Sequence, residues 1–249
     1  INSNYLGYYT SITLMLSIHF MLYSKHKSSK ILLAVTSILI SIASTIARSR
    51  GPILAFAVGY ALYIWYHLAV VKDKKLIRLL FLIIIVRIVM DVILNIMVGW
   101  LYIESFMDSA GGLVQEINDG AGEGSFAIRL RMYLAAIELT RQRPWFGWGI
   151  DNILKQMLDM SGQLKGRCHN EVLQKFATIG IPATLSYLSA IGIIFVRFIK
   201  SIKSQLPLLI GAFFSALIYF GSAQFGVSTP AVAPFFFVLM GVVYASTFN

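Results

Sequence analysis

Arg48 and Arg50 stand just before Gly51 and Pro52, Arg129 and Arg131 stand two apart in the run Phe126–Tyr133, and His169 precedes Asn170 at the head of a long apolar run. A guanidinium offers a rigid fork of N–H donors that matches the oxygens of a phosphate. Proline in a first turn marks a helix start, so Ser49 or Arg50 falls at a helix amino end, where free N–H groups and the dipole attract anions. Arg129 and Tyr133 share a helix face at i,i+4, whereas Arg131 points about 200° round from Arg129. Asn170 is of the type that caps a helix, which sets His169 near the positive pole of the helix it begins. That pole favours the neutral imidazole, the form that accepts a proton from a hydroxyl.

Each feature has a plainer reading. Arg48 and Arg50 can pair with lipid headgroups or loop acids, Arg129 and Arg131 can form salt bridges within their own segment, and a lone histidine is most often structural. His19, His26 and His67 share no metal-ligand spacing with His169, and the single cysteine, Cys168, rules out an internal disulfide and gives no metal-site spacing. No metal and no cofactor are expected. Pro144, Gly147 and Gly149 end the helix carrying Arg129, and Trp145 and Trp148 beside them suit the membrane–water interface. Arg87 and Asp91 lie four apart inside an apolar run, where they either lock helices together or mark an ion path.

The elements that position these residues are set by composition. The 249 residues are 57% hydrophobic and 13% charged, against about a quarter charged in a soluble domain. Apolar residues form runs near 5–22, 31–47, 52–71, 76–103, 171–197, 206–222 and 230–247. About 20 such residues cross a bilayer core as a helix, and membrane barrels use much shorter, alternating strands. The expected fold class is therefore an all-α membrane protein, a polytopic transmembrane bundle of about seven spans with a helical loop domain. Three short connections hold ten of the 21 lysines and arginines against the single acid Asp73. The positive-inside rule puts them in the cytoplasm and the segment from about Glu104 to Asn170 outside, with the amino end outside and the carboxyl end inside. That segment with Glu171 holds nine of the eleven acids, is glycine-rich over Gly111–Gly124, and turns helical in pattern from Phe126 to Thr140. The division is four spans over 1–103, the outer loop over 104–170, and three spans over 171–249. Topology accounts for the net charge of +10, so no nucleic-acid partner is expected. The start at Ile1, without methionine or a basic leader, predicts the C-terminal part of a longer protein.

Taken in order, four pieces resemble the O-antigen ligase and polymerase superfamily, bacterial integral membrane enzymes acting on undecaprenyl-diphosphate-linked glycans. They are Ser49-Arg50-Gly51 at an outward helix start, Arg129 followed by Tyr133, Pro144 with Gly147 and Gly149, and His169-Asn170 ahead of a span continuing to Gly180. The resemblance covers about residues 40–200. It implies that Arg50 and Arg129 hold the lipid diphosphate and that His169 is the base for the acceptor hydroxyl. Arg131, Tyr133 and Asn170 stand by as further binding residues, as does Arg48, which has no clear family counterpart. It further implies a multi-pass protein of the bacterial inner membrane with a periplasmic site, used in lipopolysaccharide synthesis. The stretch from Gly149 to Gly166 is short for an acceptor-binding module. The acceptor thus stays open between lipid A–core (ligase), a growing glycan (polymerase) and a protein hydroxyl (oligosaccharyltransferase).

A transporter or flippase working through Arg87 and Asp91 is the rival of another class. The two separate by mutation. Glycan transfer should be abolished by His169→Ala and persist in Asp91→Asn, whereas a transporter should show the reverse in a substrate-flux assay.

Overall fold

In a computed structural model the described residues, 3–47, 49–97, 125–149, 152, 153, 155–157, 167–204, 206–226 and 231–248, form helices and turns, with no strand among them. Helices α1 (Ser3–Tyr23), α2 (Lys27–Ala47), α3 (Arg50–Tyr66) and α4 (Lys74–Met97) come first, then α5 (Ser125–Gln142), α6 (Glu171–Ser201), α7 (Pro207–Ala223) and α8 (Ala233–Ala245). A helix stands on each apolar run and another on the Phe126–Thr140 pattern. Among the described residues, three stretches are long and apolar enough to cross a membrane: Lys27–Ala47, Gly51–Val71 and Glu171–Ser204. The glycine-rich stretch Gly111–Gly124 and Arg48 lie outside the described residues.

The chain forms two compact units, one of residues 1–94, 190–223 and 228–249, the other of residues 95–189 and 224–227. In the first, α1 packs on α2, α3 and α7, and α7 on α3 and α8. Its core is aromatic, with Tyr60, Tyr63, Phe198, Phe213 and Phe214 buried together. Polar groups are buried beside that core, and many apolar side chains lie outside. Ser11 bonds the Gly7 carbonyl at 2.8 Å, Ser17 the Leu33 carbonyl at 3.1 Å, and His19 Nδ1 lies 2.7 Å from the Tyr63 hydroxyl. Meanwhile Ile31, Leu32 and Leu39 of α2 and Leu82, Ile85, Ile88 and Ile96 of α4 are exposed. Water would not tolerate so much bare hydrocarbon, and lipid favours it.

Arg87 and Asp91 resolve as a lock. Arg87 Nε reaches Asp91 Oδ2 at 2.7 Å, and its Nη2 lies 3.5 Å from the Ser44 and Thr45 hydroxyls of α2. Thr45 in turn donates to Asp91. The closed pair ties α4 to α2.

The second unit is organised by a break in α6. Gly180 has φ +80° and ψ 174°, outside any helical region, and Pro182 two residues on has no N–H to give. The chain therefore forms two helices, 171–179 and 181–201. In an unbroken helix Glu171 and Tyr187 would be about 24 Å apart along the axis. Instead the Tyr187 hydroxyl donates to Glu171 Oε1 at 2.9 Å. The first helix folds back on the second, and the fifth apolar run, expected as a single span, is not one continuous helix.

The turn after α5 satisfies both broken ends. The N–H groups of Trp148 and Gly149 donate to the Ala177 and Thr178 carbonyls at 2.9 and 2.8 Å, and Ile181 N–H donates to the Pro144 carbonyl at 2.7 Å. So close an approach needs glycine on both sides. A Cβ on Gly147 (φ +66°) would meet the Thr178 carbonyl carbon at 2.4 Å, and one on Gly180 would meet the Trp145 oxygen at 2.4 Å. Gly180→Ala and Gly147→Ala should each destabilise by at least about 2 kcal/mol. Gly192→Ala, where an added Cβ meets nothing within 4 Å, should leave the thermal midpoint in detergent unchanged. Equal midpoints for all three would refute the clasp.

Candidate functional site

Helix α5 turns Met132, Ala135, Ala136 and Leu139 into a small core with Ile153, Met157, Cys168 and Ala177. Burying that stripe fixes the rest of the helix. Tyr133 is half-buried at the core's edge, Arg129 one turn earlier is half-buried on the same face, and Arg131 is exposed. Arg129 and Tyr133 thus share the half-buried face of α5, and Arg131 does not. The α5 carboxyl end is closed by Trp148, whose Nε1–H donates to the Leu139 carbonyl at 2.9 Å. Arg143 covers the Trp148 ring at 4.1 Å. Trp148 is half-buried and plugs the helix end, whereas Trp145 (71% exposed) and Phe146 (89%) are exposed.

The turn ahead of α6 is bonded from every side. Asn170 Oδ1 accepts the Leu173 N–H at 2.9 Å, the expected cap, and its amide donates to the Gln224 carbonyl at 3.2 Å. Cys168 N–H donates to Gln174 Oε1 at 2.9 Å, and the buried thiol points at the Asn170 carbonyl at 3.2 Å. His169 between them is half-buried with φ +55°, a left-handed conformation uncommon outside glycine. The Tyr133 hydroxyl reaches the His169 carbonyl at 3.4 Å. Arg129, Tyr133, His169 and Asn170 are therefore brought into one neighbourhood of the second unit.

Electrostatics agrees with that placement. Burial pushes the Tyr133 hydroxyl above its usual range, opposed by the nearby Arg129 guanidinium and reinforced by Cys168. Burial also pushes the Cys168 thiol up to about 11, with its hydrogen bond to the Asn170 backbone acting the other way. A thiol so placed is a filler, not a nucleophile. Among the described residues no cluster of three or more histidines, cysteines or acids is placed to hold a metal ion.

Arg50 opens α3 in the first unit, as the first-turn Pro52 predicts. Ser49 is its cap residue in extended conformation, and its side chain makes no capping hydrogen bond. The buried Ser49 packs against Gly7 of α1, and the Ser11 hydroxyl meets the Pro52 carbonyl at 3.3 Å. Those contacts fix where α3 begins.

One cluster is not foreseen by the spacing of residues. Glu171 is 2% exposed and holds both Tyr187 and Lys175, the latter at 3.6 Å. Its partner across the break is legible only through Gly180 and Pro182, two helix breakers inside one apolar run.

Compared with known proteins, residues 35–188 match the family model described as O-antigen ligase. No curated protein matches the chain. That interval includes Arg50, the α5 pair, the Pro144–Gly149 turn, the histidine turn and the break at Gly180.

The buried thiol gives a direct check on the turn. With the Cys168 thiol pushed up to about 11, its thiolate fraction at pH 8 is at least about a hundredfold lower than that of an exposed thiol. Alkylation by a small iodoacetamide in the folded protein should be slower by at least that factor than after unfolding. Equal rates would mean the turn is open.

Proposed function

The chain belongs to the O-antigen ligase family, the membrane glycan transferases that work on lipid-linked glycans, and on that premise we propose that it moves a glycan from undecaprenyl diphosphate onto an acceptor hydroxyl at the periplasmic face. The observation that carries this reading is the joint placement of Arg129, Tyr133 and the His169–Asn170 turn around one small core. Seven membrane crossings, with the segment from α4 to α6 outside, complete the proposal. The basic α1–α2, α3–α4 and α6–α7 connections support it, since they carry Lys25, Lys27, Lys30, Lys72, Lys74, Lys75, Arg78, Arg197, Lys200 and Lys203.

The mechanism is a single displacement. His169 takes the proton from the acceptor hydroxyl as its oxygen attacks the anomeric carbon, and the diphosphate leaves from the opposite face with inversion. Arg129 stabilises the charge gathering on that leaving group, the contribution that usually lowers such barriers most, and the family resemblance gives Arg50 the same part. Arg48 and Arg131 are secondary contacts to the donor, and Tyr133 and Asn170 hold the histidine turn in place through the bonds they make. The chemistry is metal-independent, with the guanidiniums in the role a cation would play. Lipid A–core is the proposed acceptor, which makes the protein a ligase of lipopolysaccharide synthesis. A polymerase or protein oligosaccharyltransferase would differ only in which hydroxyl enters.

In a strain lacking the native gene, His169→Ala should reduce glycan transfer by about a hundredfold or more, and Arg129→Ala by a comparable factor, both at normal membrane abundance. Glycan profiling then reads the acceptor. Lipid-linked polymer accumulating above a bare core indicates a ligase, and single repeat units on the core a polymerase. Full transfer activity in both variants would defeat the proposal.

A further inference from the structure

Glu171 plays no part in the mechanism above, yet its environment is unusually specific. Its Oε1 accepts the Tyr187 hydroxyl at 2.9 Å and lies 3.6 Å from Lys175 Nζ, which also stands 4.4 Å from the centre of the Tyr187 ring. Two partners on one oxygen fix the direction of the whole carboxylate. Among the described residues the second oxygen, Oε2, is buried and meets no hydrogen-bond partner. A carboxylate oxygen shut away from water is destabilising unless a donor reaches it. Two positions earlier is His169, the group that becomes a donor at both ring nitrogens once protonated.

We propose that Glu171 is a positioning residue for proton transfer, its Oε2 receiving an N–H of the His169 imidazolium as the acceptor proton arrives. This rests on the reading of His169 as the base. The acceptor O–H bond breaks and its proton goes to the neutral imidazole. The freed oxygen lone pair forms the new bond to the anomeric carbon, and the electron pair of the old C–O bond leaves with the diphosphate. Glu171 stays a carboxylate throughout and gains only a hydrogen bond. Its negative charge stabilises the imidazolium, the part a buried carboxylate plays beside a catalytic histidine in unrelated folds. The fold-back of α6 supplies the aim, because Tyr187 can hold Oε1 only across the break at Gly180. Among the described residues, the other ionisable groups around the turn are Arg129 and Tyr133 from α5, Arg167 and Cys168 before the histidine, and Lys175 and Tyr187 from α6.

The test is the pH–rate profile of glycan transfer in proteoliposomes with an undecaprenyl-diphosphate-linked glycan donor. A carboxylate partner raises the imidazole pKa, and activity requires the neutral base. Glu171→Gln should therefore move the acid limb about one unit toward lower pH while lowering kcat at least about tenfold, with the donor KM unchanged. Glu171→Asp should recover part of the rate, and Tyr187→Phe should shift the limb in the same direction by less. A slower Glu171→Gln variant whose acid limb has not moved would show a merely structural role and overturn the inference. So would an unchanged rate. Should Glu171→Gln fail to fold, an unmoved limb in Tyr187→Phe overturns it equally. Transfer persisting in His169→Ala would instead sink the base reading itself, which separates the two failures.

Discussion

A helix broken in apolar surroundings must find partners for the carbonyls and N–H groups it exposes, and that constraint organises the second unit. At Gly180 the loose ends of α6 are satisfied by one segment, Pro144–Gly149, whose backbone donates to Ala177 and Thr178 and accepts from Ile181. Irregular backbone at membrane depth survives only where protein covers it in this way. Because the same turn closes α5 through Trp148, the break fixes where Arg129 and Tyr133 stand relative to the head of α6. A disturbance at Gly147 or Gly180 is thus transmitted to the histidine turn with no residue of that turn altered.

The turn is held by side chains whose own polar needs are met. Asn170 caps α6 with its oxygen and ties the Gln224 carbonyl with its amide, and Gln174 anchors the Cys168 N–H. The left-handed His169 sits between these anchors. Those anchors fix the backbone at His169, and for the base proposed there a position set in advance lowers the orientational cost of proton transfer. The first unit is built differently. Its hydroxyls bond helix carbonyls inside the bundle, and α2 and α4 present their apolar residues outward.

Much of this was legible in the residues. Apolar run length placed a helix on each stretch where one stands, because burial in lipid leaves no other way to satisfy the backbone. The i,i+4 spacing separated Arg129 from Arg131, Pro52 marked the start of α3, and Asn170 the start of α6. The fold-back at Gly180 escaped because hydropathy over 171–197 is unbroken, and hydropathy does not register backbone angle. Gly180 and Pro182 were the local signal, but the partners that stabilise the break lie far earlier in the chain, at Pro144–Gly149. The Glu171–Tyr187 contact depends on that tertiary event, so no periodicity contains it. Trp145 and Trp148 looked alike as interface aromatics, and only packing separates the exposed one from the plug.

Whether the glycan changes its covalent partner decides between transfer and transport. The decisive measurement is a reconstituted reaction of the purified protein in proteoliposomes, with undecaprenyl-diphosphate-linked glycan as donor, lipid A–core as acceptor and chelator present. Appearance of glycan on the acceptor in step with release of undecaprenyl diphosphate is the predicted result. Donor carried intact from one leaflet to the other, with its diphosphate bond unbroken and the acceptor unmodified, would contradict it.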